Sequence, residues 1–282
     1  MDFKDTPEEA IFRSEAAAWM AENQLTAEDK QGLSRLDVAK LWQKRKYDGG
    51  WACIGWDEKY GGRGASAIER VIWDQEENKY DVPSRFFVIG QGMIAPTIMA
   101  WSTQEYCDQF LPKLASGEEI WCQLFSEPAS GSDLAALRTK AEKDGDDWVI
   151  NGQKIWTSGA HYSDYGMIVT RTDPTVAKHK GLTAFLVDMK AVGVETKPIK
   201  QLTGDADFNE VYFTDARCPK ENVVGEVNGG WMVAMTLLGN ERGAGAALTR
   251  HLIAVEGRHY GGRLAGEIHQ DGRRRPAVLR AV

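Results

Sequence analysis

Three stretches of this chain gather hydroxyls, amides, an indole and a carboxylate in patterns that could do chemistry. The first, Ser126-Glu127-Pro128-Ala129-Ser130-Gly131-Ser132-Asp133, follows a short apolar run, Trp121-Cys122-Gln123-Leu124-Phe125, that reads as a buried strand. Nothing bulky stands in that turn, so its backbone N–H groups and serine hydroxyls are free to approach the polar atoms of a ligand. The second is Trp156-Thr157-Ser158, an indole beside two hydroxyls. Such a group suits the wall and edge of a flat heteroaromatic. It ends a predicted hairpin in which 147–150 and 153–156 flank Asn151-Gly152, because both turn residues readily take positive φ. The third is Glu241-Arg242. On a helix starting at Trp231, Glu241 stands four residues from Leu237 and Gly245, three from Leu238 and seven from Leu248, and so shares a face with apolar and small residues. A carboxylate so placed is either neutralised by a neighbouring arginine or held with a raised pKa as a general base. Gly239, Gly243 and Gly245 each cost the helix about 1 kcal/mol against alanine. Close passage of a ligand or of a packed helix would account for them.

Each stretch also has a plainer reading, since serine- and glycine-rich turns mostly connect strands and a tryptophan near a hairpin is mostly core. The order of the motifs adds to them. Ser-Glu-Pro-x-x-Gly-Ser-Asp, then Asn-Gly-Gln-Lys-x-Trp-x-Ser, then Pro219-Lys220-Glu221-Asn222 before Gly229-Gly230-Trp231 resembles the acyl-CoA dehydrogenase family in sequence and separation, from the N-terminus to about residue 250. The resemblance implies FAD as cofactor, an acyl-CoA thioester as substrate and an electron-transfer flavoprotein as electron acceptor. The implied reaction removes an α-proton and a β-hydride to give a trans-2-enoyl-CoA. Matched residue by residue, Gln123, Leu124, Ser126 and Ser132 fall on the family's FAD loop, and Trp156, Thr157 and Ser158 on its flavin-facing segment. Ser132 and Arg242 fall where the family meets the CoA part of the substrate. Glu241 occupies the base position of the branch that resembles isovaleryl- and long-chain acyl-CoA dehydrogenases. Ala129-Ser130 departs from the usual Gly-Ala, Gln123 stands where an aromatic is common, and Asp57 replaces a frequent proline in Trp56-to-Gly64.

Composition bounds the alternatives. With 282 residues, 43% hydrophobic and 27% charged, the chain is long enough for two or three packed units. A net charge of −7 and a pI near 5.4 argue against broad nucleic-acid or anionic-membrane binding. The start, Met1-Asp2-Phe3-Lys4-Asp5, lacks the basic and apolar regions of a secretory signal, and the apolar run from Phe86 to Trp101 is broken by Gly90, Gly92 and Pro96. Cys53, Cys107, Cys122 and Cys218 show no paired spacing, and the histidines no ligand spacing. The expectation is a cytoplasmic protein with reduced thiols and no metal.

These residues need elements to hold them. Thr6-Pro7-Glu8-Glu9 predicts a capped helix start, and helices are expected over 36–46, 65–78 and 104–114. From Glu119 the texture changes to short segments rich in Val, Ile, Phe and Tyr at 167–170, 182–187, 194–199 and 210–213, punctuated by turn residues. Helical period returns at Trp231. The predicted class is α+β: an N-terminal helical domain over 1–118, an antiparallel β-barrel or sandwich over 119–228, and the start of a C-terminal helical bundle over 229–282. Arg273-Arg274-Arg275 reads as a solvated basic end.

In the family the bundle pairs subunits into homo- or hetero-oligomers and carries contacts to the FAD adenine and pyrophosphate. Only about fifty residues follow Trp231, so the reading is of a fragment, a frameshifted product, or a chain whose missing contacts come from another. Weak FAD binding by the chain alone is expected. Two rivals stand beside the dehydrogenase: a flavin-dependent monooxygenase or oxidase of the same fold, and a non-catalytic subunit or binding module that holds no FAD. Colour separates the last, since a yellow protein favours the enzyme.

Overall fold

The computed structural model describes residues 4–242. Six α-helices come first: α1 (Pro7–Asn23), α2 (Ala27–Lys30), α3 (Arg35–Asp48), α4 (Ala67–Glu77), α5 (Ala95–Trp101) and α6 (Gln104–Ser116). Four of them open on a reciprocal cap, as at Thr6, whose N–H donates to Glu9 Oε2 while its hydroxyl accepts from Glu9 N. Each such cap satisfies two backbone groups that the first turn leaves without partners. The inward faces of α1, α3 and α4, with the loop after α3, meet in a cluster of indoles, where Trp51 stacks on Trp73 at 4.7 Å and Trp19 tilts against both and against Trp42.

Eight strands follow: β1 (Trp121–Leu124), β2 (Lys140–Asp144), β3 (Asp147–Ser158), β4 (Tyr165–Arg171), β5 (Leu182–Asp188), β6 (Val194–Ile199), β7 (Phe208–Pro219) and β8 (Val223–Val224). They form one sheet in the order β6-β7-β3-β2-β4-β5-β8, with β1 on β4. The sheet is mixed rather than wholly antiparallel, because β1 runs parallel to β4 along Trp121–Tyr165 to Leu124–Ile168 and β2 touches β4 through one parallel pair. Trp148 of β3 meets Phe185 of β5 edge-on at 5.3 Å, so the two halves of the sheet fold over one core. Cys122 and Leu124 point into that core, while Trp121 and Phe125 point the other way, onto α5 and α6. Burial pushes the Cys122 thiol up to about 12, which leaves it inert. Helical backbone resumes at 230 and runs to 242, burying Val233, Ala234 and Leu237 against the same helices. The expected positions at Gly243, Gly245, Leu248 and Arg273 to Arg275 lie outside the described residues.

The turn predicted at Asn151-Gly152 is not a turn. β3 runs straight through it, and the hairpin closes one step earlier, where Gly145 and Asp146 form a two-residue loop between Asp144 and Asp147. Gly145 takes φ 63°, as this loop requires. Asn151 and Gly152 instead face a bulge in β7: Ile150 opposes Ala216 but Gly152 opposes Phe213, and Asp215 swings to φ 51°. Asn151 holds that bulge by accepting from Asp215 N at 2.9 Å and donating to its carboxylate at 3.0 Å. Gly152, at φ 151°, lies against Thr139, and a Cβ there would sit 2.5 Å from Thr139 Oγ1. Gly152→Ala is accordingly expected to lower the unfolding free energy by about 1–3 kcal/mol, read from the urea midpoint.

Candidate functional site

The turn after β1 is fastened from both ends. Glu127 N donates to Ser130 O at 2.8 Å and Ser130 N to Glu127 O at 3.0 Å, while the buried Ser130 hydroxyl donates to Asp133 O at 2.6 Å. None of Ala129, Ser130 and Gly131 takes positive φ, so the Ala-Ser departure fits without strain. Ser132 is exposed at the tip, beside Asp133, whose two oxygens both accept from Lys178 Nζ at 2.8 Å. Gln123 is half-buried on the face shared with Trp121 and Phe125, whereas the Leu124 side chain is in the core and only its backbone is available to a ligand.

A second bulge lies at the end of β3. Lys154 opposes Val211 and Thr157 opposes Asn209, so one extra residue stands on the β3 side. Inward positions along this strand are Trp148, Ile150 and Lys154, and the extra residue makes the next one Thr157 rather than Trp156. Trp156 is turned outward, 57% exposed, with φ 61°. A left-handed backbone is costly for a bulky residue and persists only where its surroundings enforce it. Here Ile155 N donates to Ser126 O at 2.9 Å, which joins the bulge directly to the serine turn. Phe208 meets the indole edge-on at 6.1 Å. The Thr157 hydroxyl is buried with no hydrogen-bond partner among the described residues, and Ser158 is half-buried beside it. Two segments far apart in sequence are therefore one surface.

Beneath them lies a buried ion pair. Lys154 is wholly enclosed, and its Nζ donates to Glu127 Oε1 at 2.9 Å, Phe125 O at 3.1 Å and Val169 O at 2.9 Å. The Glu127 carboxylate also accepts from Arg138 N at 2.6 Å and Thr139 N at 2.9 Å. Burial pulls the Lys154 ammonium down to about 8 against the opposing pull of Glu127. Burial alone would push the Glu127 carboxyl up, but Lys154 and the Arg138 N–H more than reverse this and hold it below the ordinary carboxylate value. A depressed carboxyl contributes stability above its unfolded pKa and loses it as pH falls through the folded one. Chemical denaturation from pH 6 down to pH 3 is therefore expected to show a steeper loss in the native chain than in Lys154→Met/Glu127→Leu, starting near pH 4.5, the ordinary glutamate value.

Glu241 and Arg242 are both exposed. The expected burial of Glu241 on an apolar face is corrected: among the described residues α5 and the sheet take Val233, Ala234 and Leu237 and leave Glu241 facing out. The preceding turn is docked, with Asn240 Nδ2 on Thr97 Oγ1 at 3.2 Å and Trp101 Nε1 on Thr236 Oγ1 at 2.9 Å. Gly239 and Asn240 line a cavity of about 700 Å³ that reaches into the helical layer between Trp51, Trp56, Trp73 and Arg70. Lys46 and Glu77, paired at 2.9 Å, lie in its wall. A smaller cavity of about 190 Å³ opens beside Ser158, with Arg85 and Asp207 at its rim.

Sequence reasoning did not single out Lys154, Glu127, Arg70 or Arg85.

Comparison with known proteins agrees with this architecture. The acyl-CoA dehydrogenase N-terminal domain matches residues 6–118 and the acyl-CoA dehydrogenase middle domain residues 122–216. The acyl-CoA dehydrogenase IpdE1 of Mycobacterium tuberculosis is 42% identical over 241 residues, covering 82% of this chain and 62% of the relative. FadE34 of the same organism, also an acyl-CoA dehydrogenase, is 44% identical over 245 residues, covering 87% of this chain and 33% of the relative. Among solved structures, the Tcur3481-Tcur3483 steroid ACAD aligns with a TM-score of 0.78 at 33% identity, over 96% of this chain and 71% of that one. The ChsE4-ChsE5 complex from Mycobacterium tuberculosis aligns with a TM-score of 0.73 at 37% identity, over 85% and 61%. The chain thus spans less than two thirds of the curated relatives' length. Two successive domain matches and a shared architecture place it in the acyl-CoA dehydrogenase family.

Proposed function

We propose that the chain is the helical and β portion of an FAD-dependent enzyme that desaturates an acyl-CoA thioester between its α- and β-carbons. The observation that carries this reading is the junction at Ile155 and Ser126: it turns the Trp156 indole outward, with the half-buried Ser158 two residues on and, between them on the inward side, a Thr157 hydroxyl that has no hydrogen-bond partner among the described residues. A flat ring needs such a wall and such hydrogen-bonding groups, so these residues fit a flavin. When bound, FAD supplies the acceptor for the hydride that leaves the β-carbon. Gln123, Ser126, Ser132, Trp156, Thr157, Ser158 and the Leu124 backbone would hold it.

Glu241 supplies the base. Its carboxylate takes the α-proton onto an oxygen, and the neighbouring Gly239-Asn240 turn opens onto the cavity that receives the acyl group. Exposed Ser132 and Arg242 are left to the CoA part. Exclusion of water from Glu241 requires a cover, which subunit pairing would provide; one solved relative is a ChsE4-ChsE5 complex. The electrons then pass to an electron-transfer flavoprotein in the cytoplasm. A broad acyl group suits the cavity better than a thin chain, given its volume of about 700 Å³ and its three indole walls.

Flavin fluorescence titration tests the reading. The chain alone is expected to bind FAD weakly and to lose that binding on Trp156→Ala. Absence of any saturable quenching would favour the binding-module alternative. Tight stoichiometric binding would mean that the turn from Ser126 to Ser132 carries more of the phosphate than is proposed.

A further inference from the structure

We propose that Lys154 and Glu127 are positioning residues that lock the serine turn and the bulged end of β3 into one surface, and that this orientation is what the buried pair is kept for. The proposal starts from an excess. Replacing a buried ion pair by apolar side chains of similar size is often neutral or stabilising, but this pair also serves four backbone groups, Phe125 O, Val169 O, Arg138 N and Thr139 N. Retaining it calls for something that apolar packing does not supply.

Direction is that something. The three N–H bonds of Lys154 Nζ end on two separate segments: Phe125 O and Glu127 at the start of the turn, and Val169 O on β4. Glu127 carries the connection on to the backbone N–H groups of Arg138 and Thr139, at the far end of the same loop. Arg171 continues it, with Nη2 donating to Ala135 O at 2.6 Å and to Leu137 O at 3.5 Å. The turn is thereby tied at its entry, through Phe125 and Glu127, and at its exit, through Ala135 to Thr139, to Lys154 on β3 and Arg171 on β4. Because Lys154 is also the residue before the bulge, the same anchor fixes where Ile155 N meets Ser126 O. Methylene groups would fill the space and leave the turn free to slide or rotate over it.

The lock rests on the flavin reading above only for what the surface faces, and it is tested without cofactor. In Lys154→Met/Glu127→Leu, amide hydrogen exchange at Ile155 and Ser130 is expected to accelerate roughly tenfold or more, while β4 and β5 keep their protection and the unfolding midpoint falls less than in Lys154→Met alone. In the same samples the FAD dissociation constant, from flavin fluorescence, is expected to rise. Unchanged exchange at Ile155 and Ser130 in the folded double variant overturns the proposal. So does an acceleration spread evenly over β4 and β5, which is the mark of a purely structural pair. If the double variant does not fold, Glu127→Gln, which keeps the side-chain shape, is read by the same amides and the same criteria. A native chain that quenches no flavin overturns the flavin reading and leaves the exchange result to decide the lock.

Discussion

Lys154→Met lowers the unfolding free energy by roughly 3–5 kcal/mol, the cost of removing one member of a buried ion pair. The magnitude follows from what is left behind rather than from the lost attraction. Glu127, whose side chain is 6% exposed, keeps its charge with Arg138 N and the Thr139 donors but no cation. Phe125 O and Val169 O lose the donor they share, and each unsatisfied buried acceptor adds about 1–3 kcal/mol at most. Urea denaturation at pH 7 measures the loss directly. The double change to Met and Leu is expected to recover most of it, because no charge is then stranded. A single-variant loss below about 1 kcal/mol, the range of exposed pairs, would show that solvent reaches Glu127 when the lysine is gone.

Glu241→Gln slows removal of the substrate α-proton by roughly 10²–10⁴-fold, the range for loss of a general base. The amide keeps the shape and the hydrogen-bonding reach of the acid but accepts no proton at neutral pH. Exchange of the acyl-CoA α-proton with deuterium, followed by NMR in a preparation that dehydrogenates its substrate, isolates this step from flavin reduction. FAD affinity is expected to stay within about twofold, since Glu241 is not among the residues proposed to hold the cofactor. Equal exchange in variant and native protein would move the base to another carboxylate.

Much of this fold was legible because its signals are local. The cap at Thr6 and Glu9 is a four-residue pattern with one geometry, and it marks α1 correctly. The β-rich segments from 167 to 213 were found because each is a short run rich in β-branched and aromatic residues bounded by turn residues. Asn151-Gly152 misled for a physical reason: the permissive φ that favours a tight turn equally favours a bulge or a close backbone approach, and only the partner strand decides. Lys154 was illegible in another way. Its neighbours in space are Phe125, Glu127 and Val169, so a sequence window around it shows an ordinary charged residue in a strand. The candidate site was half legible. Its motif residues were readable, while the outward turn of Trp156 and the exposure of Glu241 depend on a bulge and on packing that pattern alone does not encode.

The two bulges between β3 and β7 cancel. One adds a residue to β7 near Asp215 and the other adds one to β3 near Trp156, so the same number of residues on each strand separates the Asp147–Pro219 pair from the Ser158–Phe208 pair. Pairing thus slips by one step over a short window and is then restored. An insertion or deletion in either strand alone would carry the slip to the end of the ribbon and exchange inside for outside at Thr157 and Asn209. A matched change in both strands would not. Lineages of this protein should therefore gain or lose length here in pairs, and a length change on one strand without its counterpart would be a frame error in three dimensions, visible as an indole forced inward.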